Sequence, residues 1–186
     1  MLKPPNADRR SERTRRSLLT AFDDLLLERG YDRVTVLDIV ARADVGRSTF
    51  YEQFENKEDI LRESLTPLLA TLASVHKHAD ETAVERLIGH IWEQRRLARA
   101  LLSGSANGLA SSLLAELIDE DLQDRFATGG AKPFLPLRII ASQIAAAQIA
   151  VIVAYLDDPA ESTSADISRA VIVGSQALLA TYGITA

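Results

Sequence analysis

The chain has 186 residues, no cysteine and three histidines, and it carries a formal net charge of −5. This length is enough to bury a core in one domain, or in one domain with a small additional head. Without cysteine, a disulfide framework, a zinc site built on thiolates and a thiol nucleophile are all excluded. The N-terminus is polar and basic and no stretch approaches about 18 consecutive apolar residues, so we expect a cytoplasmic protein with no signal peptide and no membrane-spanning helix.

The charge is distributed unevenly along the chain. Residues 1–62 are neutral overall, and the remaining residues carry the whole net negative charge. Five arginines crowd the start of the first helical pattern, where the helix dipole disfavours cations. A solvated N-terminal arm and a nearby phosphate backbone both explain them. These arginines are Arg9, Arg10, Arg13, Arg15 and Arg16.

The first two helices are predicted from apolar spacing and capping residues. Apolar side chains recur at helical spacing from Leu18 to Leu26, and Gly30 stands where a left-handed C-cap belongs. Thr35 can cap a second helix near residues 36–43, with Asp38 three residues later as its capping-box partner.

A third helix is predicted near residues 47–54, after a tight turn at residues 44–46 that Asp44 and Gly46 can accommodate. Asn56 then caps a fourth helix. A helix of two turns is not stable alone in water, so Phe50 and Phe54 must anchor this one by packing inward. Its outward face is polar, with Arg47, Ser48, Thr49, Tyr51 and Gln53. This arrangement predicts a helix-turn-helix whose third helix enters a DNA major groove.

The segment GYDRVTVLDIVARADVGRSTFYEQFENKEDIL, residues 30–61, resembles the signature of the TetR family of bacterial transcriptional regulators. The resemblance covers about the first third of the chain and includes the cap, turn and aromatic positions. It implies a helix-turn-helix DNA-binding domain at residues 1–56 and a C-terminal effector-binding and dimerisation domain at residues 57–186. The expected fold is all-α, and the expected protein is a regulator of double-stranded DNA, with no enzyme activity, cofactor or metal.

The resemblance also implies roles for individual side chains. Thr35 and Lys57 would hold DNA phosphates from two helix N-termini, with Thr49 and Tyr51 against the DNA backbone. Bases would be read by Arg47, Ser48 and Gln53, since Arg pairs well with guanine and Gln with adenine. The chain departs from the usual family residues at four positions, which leaves its base preference open: Asp44, Gly46, Ser48 and Gln53.

The rest of the chain is predicted to be helical throughout. A fourth helix runs from Asn56 to about His78, and Pro67 either kinks it or marks a break in it. Four further segments follow near residues 81–103, 106–127, 134–157 and 163–183, and Thr163 with Asp166 looks like another capping box. Turn-forming clusters at residues 103–105, 128–130 and 157–159 separate them.

The last two helices are candidates for a dimer interface. Residues 134–156 are apolar on nearly every face, so they need cover from their own core and from a partner. The final helix has small residues near one face, which permit close helix approach in a four-helix bundle across a two-fold axis. The alternative is a tight hairpin within one chain. The candidate interface residues are Ile152, Ala170, Gly174, Ala177 and Thr181.

The resemblance implies a homodimer whose two heads meet successive major grooves about 34–36 Å apart on a pseudo-palindromic operator. It also implies a small-molecule effector in the helical body, with repression relieved by the ligand. The candidate pocket residues are Trp92, Arg95, Gln143 and Tyr155. Arg95 falls on an apolar stripe, so it must either pair with an acid such as Glu116 or hold an acidic effector.

Three alternatives stay open. Control by a protein partner would be indicated by a body cavity filled with its own side chains. A charge-neutral head also allows a helical interaction module that does not bind DNA. An enzyme would need acid–base groups such as Asp119, Glu120, Asp121 or the histidines His76, His78 and His90, but no carboxylate–histidine pair suited to a metal is visible in the sequence.

Overall fold

The computed structural model describes residues 5–75, 80–127, 133–158 and 162–184. These residues form nine α-helices and a 3-10 turn at Tyr31–Arg33, with no strand among them, so the all-α prediction is confirmed. The helices are α1 Pro5–Arg29, α2 Val36–Arg42, α3 Arg47–Tyr51, α4 Lys57–Ser74, α5 Glu81–Glu93, α6 Arg95–Leu101, α7 Gly104–Ala127, α8 Leu137–Asp157 and α9 Ser164–Thr181.

The capping and turn chemistry of the head follows the sequence closely. Gly30 ends α1 with a positive φ of 73°, although its ψ of 159° is extended and not that of the left-handed helix. Thr35 and Asp38 form the predicted capping box: the Thr35 hydroxyl accepts from the Asp38 N–H, and the Asp38 carboxylate accepts from the Thr35 N–H at 2.9 Å. Asp44 takes the predicted left-handed conformation, with φ 53°.

Helix α3 is shorter than predicted. It stops at Tyr51, and the expected continuation to Phe54 is a turn. The N–H of Gln53 donates to the Phe50 carbonyl at 2.9 Å, a three-residue spacing that tightens the chain, while the Phe54 N–H reaches the same carbonyl at 2.9 Å. The tightened turn still brings Phe54 back to the core, where it is buried.

The linker helix α4 is continuous through Pro67, so the alternative of a helix break there is wrong. The side chain of Asn56 caps its first turn by accepting from the N–H groups of Glu58 and Asp59, as predicted. The predicted end of this helix at His78 lies outside the described residues, as do the predicted turn at 128–130, residue 159 of the turn at 157–159, and the candidate acid–base residue His76.

The predicted segment 81–103 is two helices instead of one. The chain leaves the helix at Gln94, with φ −97° and ψ 25°, and α6 starts at Arg95. One continuous helix would direct Gln94 and Arg95 into the core, and burying unpaired polar groups is costly. The break turns Ala98 and Leu101 inward and leaves Arg95 exposed. A second bend of 84° separates α6 from α7.

The body packs α8 between α7 and α9, with α5 on α9 and α4 on α7. A single hydrophobic cluster runs from Leu18 of the head to Leu179 of α9 and passes through α4. The predicted domain boundary between residues 56 and 57 falls inside this continuous core and stays a prediction. The Thr163–Asp166 capping box at the start of α9 is present.

Helix α8 is apolar and long enough to cross a membrane by composition, with a mean hydropathy of 2.0 over an 18-residue window. The bent pair α6 and α7 meets the same criterion if taken as one span. These criteria concern length and composition alone, so they do not contradict the expectation that the protein has no membrane-spanning helix. Half of the α8 window is buried inside the protein, as is usual for a core helix.

Candidate nucleic-acid interface and helical body

The recognition helix is anchored by its aromatic residues. Phe50 is fully buried, with its ring centroid 5.6 Å from that of Phe54 and 5.4 Å from that of Tyr51 in an edge-on arrangement. The guanidinium of Arg15 on α1 lies 4.8 Å from the centre of the Phe54 ring. These contacts supply the tertiary packing that a helix of five residues needs to exist.

The opposite face of α3 is polar and accessible. Arg47 and Ser48 are exposed, Thr49 is half-buried, and the Tyr51 side chain is 58% exposed. Within the described residues, the side chain of Arg47 makes no hydrogen bond or ion pair. The structure therefore brings four of the predicted contact residues together on a single surface that no other part of the described chain covers.

Thr35 lies at the N-terminus of α2 with its hydroxyl already engaged. That hydroxyl donates to an Asp38 carboxylate oxygen at 2.6 Å. Hydrogen bonds from Thr35, together with Arg29 at 3.0 Å, hold the pKa of the Asp38 carboxyl below its usual value. A phosphate approaching Thr35 would thus meet free backbone N–H groups at the helix start more readily than the hydroxyl.

Gln53 lies beyond the end of α3, and its side chain is engaged by α1 of the same head. Its amide nitrogen donates to the Ser11 hydroxyl at 3.0 Å, and its amide oxygen accepts from the same hydroxyl at 3.2 Å. Its backbone carbonyl accepts from Arg15 at 3.5 Å. The structure uses Gln53 to hold the end of the recognition segment against α1, which the sequence pattern did not indicate.

Arg15 is a structural residue that the sequence did not distinguish from its neighbours. It forms an ion pair with Glu63 of α4, and this partner raises the pKa of the Arg15 guanidinium. The arginines that were predicted to crowd a helix start instead lie one to three turns inside α1, which begins at Pro5. Arg16 pairs with Glu12 at 3.2 Å, while Arg9, Arg10 and Arg13 have no partner in the described part of the chain.

Lys57 is half-buried and already has partners within the head. Its ammonium donates to the Tyr31 carbonyl at 3.0 Å and lies 4.0 Å from the centre of the Tyr31 ring. Burial, with Glu58 and Asp32 adding to it, raises the pKa of the Tyr31 phenol to about 12. An anion is therefore not needed to explain a lysine at this helix start, although an ammonium has three donors and retains some for a phosphate.

Comparison with known proteins identifies the family. Residues 18–64 match the sequence profile of the bacterial regulatory proteins of the tetR family. The chain is also 32% identical over 128 residues to the HTH-type transcriptional repressor Rv3405c of Mycobacterium tuberculosis, which covers 64% of this chain and 67% of that protein. The chain belongs to the TetR family.

Two further similarities concern the TetR-family body as well as the head. The uncharacterized HTH-type transcriptional regulator YdeS of Bacillus subtilis is 31% identical over 119 residues, or 64% of this chain. The chain spans 58% of the length of YdeS and smaller shares of two other relatives. A TetR transcriptional regulator from Streptococcus agalactiae has the same fold, with a TM-score of 0.59 and 24% identity over 91% of this chain and 97% of that chain.

Three of the four residues predicted to line an effector pocket contact one another in this TetR-family protein, and Gln143 lies apart from them. The rings of Trp92 and Tyr155 are in tilted contact with centroids 5.1 Å apart, and exposed Arg95 lies over the Trp92 ring. Gln143 is exposed and accepts from the Tyr182 hydroxyl. Twelve residues of α8 separate Gln143 from Tyr155, which corresponds to about 18 Å along the helix axis.

The predicted ion pair between Arg95 and Glu116 is wrong. Glu116 accepts instead from Arg62 of α4 at 3.2 Å. The helix break at Gln94 is the physical reason, because it directs Arg95 outward and away from α7.

A different cavity of about 270 Å³ lies between α4, α5 and α6. Its apolar wall includes Leu68, Leu87, Ile91, Leu97, Leu101 and Leu102. The polar groups at its edge are Ser64, His90 and Gln94, and Pro67 also contributes. Pro67, which lines this cavity, is one of the residues that disturb an otherwise regular helical pattern in the sequence.

The predicted dimer residues divide into two sets. Ile152 is fully buried by its own chain, so it cannot reach a partner, and its assignment to the interface was wrong. Apolar periodicity did not reveal which side of α8 the chain itself would cover. On α9, all four predicted small residues are exposed: Ala170, Gly174, Ala177 and Thr181. The exposed face of α8 carries Ile139, Gln143, Ala146, Ala147, Ala150 and Ala154.

Proposed function

We propose that this TetR-family protein is a cytoplasmic, DNA-binding transcriptional repressor. The observation that carries the proposal is the construction of α3: Phe50 is fully buried, while Arg47, Ser48 and Tyr51 stand exposed on the other side. A short helix that is anchored by one aromatic residue and offers long donors and hydroxyls outward suits insertion into a major groove. The relative Rv3405c is itself named a transcriptional repressor, which supports repression over activation.

The contacts divide into positioning and reading. Arg47 has no competing partner in the described residues and would pair with a guanine edge, with Ser48 reading beside it. Tyr51 and Thr49 would lie against the sugar-phosphate backbone. Lys57 and the N–H groups after Thr35 would hold phosphates from two helix starts. Gln53 would reach DNA only by releasing Ser11, so its proposed part is to orient α3.

The repressor would act as a homodimer through α8 and α9. Both helices expose small side chains along one face, including Ala147, Ala150, Ala170 and Gly174. A Cβ added at Gly174 would meet no atom within 4 Å from any described residue beyond its own stretch of helix, so that face is open to a second copy. Small residues allow two helix pairs to approach closely as a four-helix bundle, and the dimer would match a pseudo-palindromic operator.

The effector would be a small, largely apolar molecule held in the cavity between α4, α5 and α6. Leucines dominate the wall, and Ser64, His90 and Gln94 could each make one polar contact. No arginine or lysine lines this cavity, so an acidic effector held by Arg95 is not part of the proposal. A protein partner would be favoured by a cavity filled with side chains, whereas about 270 Å³ stays open here. The repressor FadR of Thermus thermophilus, which has the same fold, was crystallised with lauroyl-CoA.

Selection of fragments from random DNA by the purified protein, at moderate salt, tests this proposal. The double variant Tyr51→Ala, Lys57→Ala removes two proposed DNA contacts, and Arg86→Ala serves as a matched control because Arg86 lies on α5 and bonds only within its own helix. We expect the wild type and Arg86→Ala to recover one pseudo-palindrome that the double variant does not enrich. No enrichment by a folded wild-type dimer would refute the DNA-binding proposal.

A further inference from the structure

The head rests on the body through residues that are not themselves proposed to touch DNA. The 3-10 turn Tyr31–Arg33 of the head packs against α7, while α1 packs against α6. In this turn, one Asp32 carboxylate oxygen accepts from the Ser105 hydroxyl in the first turn of α7. A carboxylate from the DNA-binding head therefore lies at the N-terminus of a body helix of 24 residues, the end at which the helix dipole favours negative charge.

Gly104 makes this close approach possible. Its φ of 57° is a conformation that other residues seldom adopt, and a Cβ at this position would stand 2.7 Å from the second Asp32 carboxylate oxygen. Any side chain at position 104 would therefore strain the start of α7 and push the carboxylate away. The start of α7 therefore accommodates Asp32 in two ways. Ser105 supplies a hydroxyl donor, and Gly104 has no side chain to obstruct the carboxylate.

The start of α7 also adjoins the cavity. Leu101 and Leu102 line the cavity at the end of α6, immediately before the 84° bend into α7. The side-chain amide of Asn107 in α7 donates to the Leu102 carbonyl at 2.9 Å, which ties the cavity wall to the start of α7. A shift of the cavity wall would thus move the residues on which Asp32 rests.

We propose that Asp32 is a positioning residue, which fixes the orientation of the DNA-binding head relative to the body through Gly104 and Ser105. The inference rests on the proposed function, because in a dimer the orientation of each head sets the distance between two recognition helices. It also gives the effector a route to the head, since a ligand acts only by favouring one arrangement over another. Loss of the contact should let the dimer bind half-sites at a wider range of spacings. The sequence that each head reads should stay unchanged.

The test measures affinity for a series of duplexes in which the spacer between selected half-sites is changed by one or two base pairs. We expect the wild type to lose about tenfold or more in affinity on a two-base-pair insertion, because the heads no longer meet both grooves. The affinity of Asp32→Ala and of Ser105→Ala should fall by about threefold or less on the same insertion. The matched control is Asp166→Ala, which removes another carboxylate from a helix start, that of α9, where no head residue is its partner.

Gly104→Ala tests the contact from the body side. The added methyl group should displace Asp32 and give the same flat spacing profile as Asp32→Ala. Ser105→Ala keeps the proposal testable if Gly104→Ala does not fold, since it alters no backbone conformation. A wild-type spacing profile in Asp32→Ala and Ser105→Ala would overturn the positioning role and leave the proposed repressor function intact.

A second readout works without DNA and separates the two proposals. The chain has no cysteine, so cysteines introduced for exposed Thr20 in the head and exposed Ser112 in α7 can carry spin labels at defined positions. Asp32→Ala should broaden the head-to-body distance distribution, and Asp166→Ala should not. If the wild type binds no two-half-site DNA, the repressor proposal fails; an unchanged distance distribution in Asp32→Ala still overturns the inference, and a broadened one supports it.

Discussion

Asp23 couples the stability of the protein to pH. This residue lies on α1 with its Oδ1 atom buried beside the buried hydroxyl of Ser64 on α4, and the lowering effect of that hydroxyl on the Asp23 pKa is smaller than the effect of burial. Burial, with a smaller contribution from neighbouring Asp24, raises the pKa of the Asp23 carboxyl to about 6. Because Ser64 also borders the cavity, this carboxyl lies where α1 of the head meets the cavity wall.

The sign of the effect follows from the direction of the shift. The folded protein binds the Asp23 proton more tightly than the unfolded chain does, because the pKa of the carboxyl in the unfolded chain is near 3.8. The resulting stabilisation is fully present below pH about 3.8 and is lost as the pH rises through about 6. A pKa difference of about two corresponds to about 3 kcal/mol in the free energy of unfolding. Partial exposure of the carboxyl to solvent reduces the expected effect to about 1–2 kcal/mol.

The substitution Asp23→Asn removes this ionisation at nearly constant volume. The free energy of unfolding of both proteins is measured in urea between pH 5 and pH 8. The value for the wild type should fall relative to that for the variant as the pH rises. At pH 8 the variant should be more stable by about 1–2 kcal/mol, because the wild type then buries a charged carboxylate. Asp44→Asn is the matched control, since Asp44 is exposed in the turn after α2 and does not contribute to the raised pKa of Asp23.

A constant difference between Asp23→Asn and the wild type over this pH range would refute the reasoning. It would mean that Asp23 titrates as an ordinary solvated carboxyl and that α1 moves enough to hydrate it.

Other predictions concern the proposed DNA surface, the dimer and the cavity. Arg47→Ala should relax the preference at one base position of each half-site, at a cost of about 1–3 kcal/mol, as measured by affinities for single-base operator variants; an equal loss on all sequences would contradict base reading. Gly174→Asp should give monomers in sedimentation, because a charge would be buried in a close helix contact; a stable dimer would remove this part of α9 from the interface. Ala98→Phe should fill the cavity and abolish ligand-induced release while operator affinity stays within about threefold of wild type; an unaltered ligand response would locate the effector elsewhere.

The features that the sequence predicted well depend on neighbouring residues. Thr35 with Asp38, the left-handed Asp44 and the Asn56 cap are each determined by side chains within three residues of the backbone they serve, so their patterns are visible in a short segment. The inward placement of Phe50 could also be predicted locally, because a helix as short as α3 needs an apolar side chain packed against the core. Such local rules also fixed the all-α class and the order of the helices.

The features that the sequence missed depend on residues that are distant in the chain. Gln53 has the residue type of a base reader, but Ser11 occupies its amide, and 42 residues separate the two. No residue close to Asp32 in the sequence indicates its contact with Ser105 of α7, which lies 73 residues later. Arg95 was interpreted as a charge on a buried stripe, whereas the chain resolves the conflict by ending the helix at Gln94.

The salt dependence of binding to a selected operator tests the central claim most directly. If Lys57 and its neighbours hold phosphates, the logarithm of the binding constant should fall linearly with the logarithm of salt concentration, by about 0.9 for each phosphate neutralised. Lys57→Ala, which removes one cation from each of two heads, should make this slope shallower by about 1.8 and weaken binding to all sequences alike. Phosphate contacts weaken strongly between about 50 and about 200 mM salt. A wild-type binding constant that stays the same over this range would contradict the claim that this protein binds DNA through its head.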